Sequence, residues 1–88
     1  MSDKLEKGTI FVVEDIKDTD AYYPIRGKLV GKKMVVTGGL EKWTTEEKEL
    51  LGWWLGEVVE ADDPQSVIFF HAVKIKDIEE VNDDGVNV

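Results

Sequence analysis

Residues 50–63 read LLGWWLGEVVEADD, and the conformation of this stretch decides the fold. Two adjacent tryptophans stand between Gly52 and Gly56, with an acidic run behind them. On a helix they would lie roughly 100° apart and share one face; on a strand one indole would enter the core and the other would face out. Leu50, Leu51, Trp54, Leu55, Val58 and Val59 follow helical spacing. Against a long helix stand the two glycines, each costing about 1 kcal/mol in a helix interior. Val58 and Val59 prefer strands, and Gly52 stands where a C-terminal glycine cap belongs. The reading adopted is a short helix over 45–51, a stop at Gly52 and a strand over 53–61, with Trp54 packed and Trp53 outward.

Working outward, TTEE (44–47) has the form of a capping box, with Thr44 and Glu47 able to satisfy each other's backbone N–H groups. Upstream, GTIFVVED (8–15) reads as a strand and IKDTDAYYP (16–24) as a long loop. RGKLVGKKMVVTGG (26–39) reads as two short strands joined by a turn at 31–33 and closed by Gly38–Gly39. Downstream, ADDPQS (61–66) reads as a turn and SVIFFHAVKIK (66–76) as the clearest strand, so 53–76 forms a hairpin with a medium-length loop. Ile10, Val12, Leu29, Met34, Val36, Leu51, Trp54, Val58, Phe69, Val73 and Ile75 are the expected core.

With 88 residues the chain is expected to make a single domain over 8–78, with a frayed start at 1–7 and an acidic tail at 79–88. It contains no cysteine, so neither disulfides nor thiolate metal sites are available. The N-terminus lacks an apolar signal-peptide region, and no apolar run approaches the roughly 20 residues of a membrane helix. A cytoplasmic protein without membrane contact, monomeric or weakly oligomeric, is expected. The net charge of −8 is unevenly placed. Residues 1–44 hold eight basic and seven acidic residues, a balance of +1, while 45–88 hold three basic and twelve acidic, a balance of −9. Such a field repels phosphate backbones and attracts basic proteins.

The strand spacing and the order G-x-L-V-G-x-x-M-V-V, W-W-x-G-x-V and F-F-x-x-V-K-I over residues 8–78 resemble an SH3-like small barrel. The implied fold is mostly β, with about five strands and one short helix at 45–51. In SH3 domains the first of an adjacent tryptophan pair lines a groove for proline-rich helices, which by resemblance would make Trp53 the outward residue. The rest of that groove is missing: the first strand is TIFVVED, and the last reads HAVK (71–74). The chain is more similar to small acidic SH3-like proteins of bacteria and their phages, whose roles vary.

No hydrolase, zinc-protease or phosphate-loop motif is present, and His71 is the only histidine. A packed or half-exposed ring is the expected role for a lone histidine in an apolar strand. The carboxylate pairs Glu46/Glu47, Asp62/Asp63 and Asp83/Asp84 lie in polar segments, and NDDG (82–85) lacks the ordered ligands of a calcium loop. No enzyme, cofactor or metal is expected. Two binding readings remain. The first is an acidic protein-binding module, a phage-type or regulatory inhibitor that mimics nucleic acid and occupies a basic surface of a host protein. Its expected residues are Trp53, Glu57, Glu60, Asp62 and Asp63. The second is nucleic-acid binding by Tyr22, Tyr23, Arg26, Lys28, Lys32 and Lys33, against which stands pairing of those cations within the chain. A structural subunit of an assembly is a third possibility.

Overall fold

Gly52 takes φ +90°, a conformation that side chains rarely adopt, and the chain leaves its last helical turn there to enter a strand. The computed structural model describes residues 4–44 and 48–79. Within them, six antiparallel strands form one sheet: β1 Lys4–Leu5, β2 Ile10–Ile16, β3 Lys33–Val36, β4 Leu40–Lys42, β5 Trp54–Glu60 and β6 Asp63–Glu79. A helix α1, Arg26–Leu29, and two 3-10 turns, Tyr23–Ile25 and Lys48–Leu50, complete the described elements. The strand order is β1-β4-β5-β3-β2-β6, and β6 pairs β5 as well. The ladder therefore passes from β5 through β3 and β2 to β6 and back to β5.

The tryptophan pair divides as expected. Trp54 is 8% exposed and packs in the core, while Trp53 is half-buried just ahead of β5. Leu29, Met34, Val36, Val58 and Val73 also enter the core. Phe11, Phe70, Ile16 and Leu40 join them with almost no exposed surface. Each fully buried side chain of this size contributes about 1.5–3 kcal/mol relative to exposure.

Of the helix expected at 45–51, the described part is a 3-10 turn at Lys48–Leu50, and Leu51 is 47% exposed rather than core. Residues 45–47 lie outside the described residues, so the capping box at Glu47 and the pair Glu46/Glu47 are not located. The segment 26–39 also differs. Arg26–Leu29 is helical because Pro24 opens a 3-10 turn that feeds directly into it. That turn of helix sends Leu29 into the core and leaves Arg26 and Lys28 in solvent. Gly31, at φ +91°, then reverses the chain into β3. The start of the chain is less frayed than expected: Lys4–Leu5 pairs with β4, and Leu5 is buried. At the other end β6 continues to Glu79; residues 80–88, with Asp83/Asp84 and NDDG, lie outside the described residues. The β5–β6 loop is shorter than expected, a two-residue turn at Ala61–Asp62.

The faces of β2 and β6 carry the main correction. Phe11 and Val13 point inward, and Ile10 and Val12 are half-buried. Both alternating sets are apolar, so pattern alone does not choose between them. In β6 the inward residues are Ile68, Phe70 and Ala72, followed at once by Val73. From Trp54↔Val73 to Gly56↔Phe70, β5 advances two residues while β6 advances three. The extra residue is a β-bulge, and it exchanges the two faces of the strand. Phe69, read as core, therefore faces out and is 45% exposed. Ile75 packs only partly against the core.

Asp20 holds the bulge. Its carboxylate is 3% exposed and accepts from the N–H groups of both His71 and Ala72, the latter at 2.8 Å. Its other oxygen accepts from the Tyr22 N–H at 2.8 Å. One buried side chain in the long loop thus satisfies two donors that the bulge removes from the ladder.

Candidate functional site

The residues expected to bind a basic partner do not form one patch. Trp53 stands at the foot of β5, and Asp62 lies in the turn at its far end, roughly 25–30 Å away at the rise of a strand. Glu60 accepts from Lys32 Nζ at 3.2 Å. Glu57 accepts from the Thr37 hydroxyl at 3.0 Å. Asp62 and Asp63 are exposed at the hairpin turn.

Lysines rather than carboxylates lie over the Trp53 ring. Lys17 Nζ and Lys74 Nζ lie 5.9 and 5.4 Å from the indole centroid, both in cation–π range. The Trp53 carbonyl accepts from the Trp43 N–H at 2.6 Å, which brings the end of β4 beside it. A shallow recess of about 200 Å³ runs from Trp53 past Asp18 to Tyr23 and Arg26. Arg26 donates to Asp15 and lies 5.8 Å from the Tyr23 ring. The hydrogen bond from Arg26 holds the Asp15 carboxyl below its ordinary value and raises the guanidinium.

The basic segment is largely answered from within the chain. Arg26 pairs with Asp15, Lys32 with Glu60, and Lys33 with Glu79 at 3.6 Å. Tyr22 is half-buried and packs against the core at Phe70, with ring centroids 5.6 Å apart. Tyr23 and Lys28 remain exposed. A polyanion would have to displace three ion pairs while approaching a net charge of −8.

What the sequence reading missed is the outer face of the β5–β6 hairpin. Val67 is 60% and Phe69 45% exposed, and His71 stands edge-on to Phe69 with centroids 5.1 Å apart. Phe69 pairs across the ladder with Glu57, and Leu55 pairs with Glu41 on β4. Side chains directly opposite in a ladder share a face. The result is an apolar surface on rigid strands, flanked by two carboxylates and continued by Asp62 and Asp63 at the turn. Beside Phe69 lies a notch of about 370 Å³ over Gly38, Gly39 and Gly56. The sequence offered no signal for this face, since Asp20, which holds the point where β6 changes face, is one of two aspartates in the loop 16–24. Among the described residues, no His, Asp and Glu cluster is placed to hold a metal ion, and no helix is long and apolar enough to cross a membrane. Comparison with protein-family models, curated proteins and solved structures found no match.

Proposed function

We propose that this chain is a non-catalytic protein-binding module of SH3-like barrel form, which docks a basic surface of a nucleic-acid-binding protein against the outer face of β5–β6. The return of the ladder from β6 to β5 supports the barrel reading. The observation that carries the function is Phe69, an exposed aromatic directly across from Glu57 on a rigid strand pair. An aromatic anchor supplies affinity when desolvated, and the surrounding carboxylates steer a cationic partner and fix its orientation. Glu57, Asp62 and Asp63 keep the part assigned to them from the sequence, but the anchor beside them is Phe69 rather than Trp53. On this reading the chain acts as a regulatory inhibitor that competes with nucleic acid for the partner's basic face.

The test is a titration of labelled basic nucleic-acid-binding domains with the purified chain, with and without duplex competitor. Binding should weaken as salt rises and be excluded by duplex. Phe69→Asp should lower affinity about tenfold or more while leaving stability within about 0.5 kcal/mol. Absence of binding across a broad panel, binding unchanged in Phe69→Asp, or a stable ternary complex with duplex would each overturn the reading.

A further inference from the structure

Resting on that docking face, we infer that the glycine notch beside Phe69 receives an arginine side chain of the partner. Three glycines line the notch, and at two of them the β3–β4 turn and β5 lie too close together for a side chain. A Cβ on Gly56 would stand 2.5 Å from the Gly39 carbonyl oxygen, and one on Gly38 would stand 2.9 Å from the Glu57 Cβ. No larger residue fits without moving backbone or the Glu57 stem.

The walls then select the occupant. Glu41 lies opposite Leu55 and Glu57 opposite Phe69, so the two acids are diagonal neighbours across β4 and β5. Such positions stand about 7–8 Å apart. A guanidinium is planar, donates along two edges and stacks on an aromatic face, so it can address both carboxylates while lying against Phe69. A lysine ammonium is a compact and strongly hydrated point charge, and it matches only one of those features. The Thr37 hydroxyl fixes Glu57 at 3.0 Å, which pre-organises one carboxylate before any ligand arrives. Lys4, the strand partner of Glu41, runs along the rim, its Cε 3.2 Å from the position a Gly39 Cβ would take. The notch thus sets two carboxylates against one ammonium and keeps an excess of negative charge.

The experiment is a ¹⁵N–¹H titration of the full chain with N-acetyl-arginine methylamide and, separately, with its lysine counterpart. The amide signals of Gly38, Gly39 and Gly56 should shift toward saturation with the arginine derivative, and about fivefold more lysine derivative should be needed for the same shift. Glu57→Gln preserves the shape of the side chain and an acceptor for Thr37, and Glu41→Gln is equally conservative. Each should weaken the arginine response about threefold to tenfold, with the rest of the spectrum unchanged. Equal responses to the two derivatives, no shift at those glycines, or a full response in the double glutamine variant would overturn the inference. If the glycines ignore arginine while Phe69→Asp still abolishes binding of a basic domain, the notch assignment fails alone. If Phe69→Asp leaves that binding intact, the docking face itself fails.

Discussion

Trp53, at the foot of β5, and Phe69, midway along β6, are both aromatic rings with access to solvent, yet their neighbours differ. Two lysines of the chain lie over the Trp53 indole, and the Trp43 backbone is bonded to its carbonyl. Phe69 has an imidazole ring 5.1 Å away between centroids and a carboxylate across the ladder, and it stays 45% exposed. In a chain of net charge −8, the corner with local cations already has its aromatic face occupied, while the corner with local carboxylates keeps nearly half of its aromatic side chain in solvent. Surface aromatics are thus poor guides to a contact site until the charges around them are known.

The largest expected effect breaks the device that turns Phe69 outward. Asp20→Ala should lower stability by about 3 kcal/mol, because it leaves buried backbone donors of the bulge unpaired. For a domain of this size that is a fall in melting temperature of roughly 12–24 °C, readable by calorimetry. A loss under about 1 kcal/mol would mean that the bulge holds itself and that Asp20 is incidental. Next, Gly56→Ala should cost about 2 kcal/mol in chemical denaturation, since its methyl would meet the Gly39 carbonyl and Leu40. A neutral result would show that the notch floor yields easily, and would remove its rigidity.

Trp53→Leu sharpens the contrast directly. It should reduce stability by about 1 kcal/mol through lost cation–π contact and packing, and leave affinity for a basic domain within about twofold. If it abolishes that affinity, Trp53 is the anchor and the roles of the two corners are exchanged. The smallest effect concerns Asp15 and Arg26. The Asp15 carboxyl is held below its ordinary value, so the folded state favours its ionised form. The resulting stabilisation is full above the ordinary carboxylate range and is lost as pH falls through the lowered value. Arg26→Gln should therefore flatten the acid limb of the stability profile slightly, the two proteins converging once pH lies below the lowered Asp15 value, as followed by thermal melts across pH. An unchanged limb would show that the exposed pair is inert.

Several parts of this architecture were legible in the sequence. Gly52 announced the end of the helical turn through its cap position, and the split of Trp53 from Trp54 followed from entry into a strand. Met34 and Val36 were legible because β3 alternates between outward and buried positions. Phe69 was not, because the alternation of β6 holds on each side of Ala72–Val73 but changes sign between them, and the cause lies in the distant Asp20. The same non-locality hid β2, whose two faces are equally apolar. For the candidate site, the acids Glu57, Asp62 and Asp63 were visible as charge, but their aromatic companion depended on the bulge. Arg26–Leu29 escaped as a helix because one turn carries too little periodicity to register against flanking glycines.

The pairing circuit also bears on how this chain behaves at high concentration. β1 is the terminal strand of the order; it is two residues long, and one of them is Lys4. An unpaired rim that short and charged gives an incoming strand little to extend, which is how natural sheets avoid seeding aggregates. The apolar patch at Val67 and Phe69 lies on the first half of β6, which is paired with β5 along one side. Self-association through it would bring together copies that repel one another through their net charge.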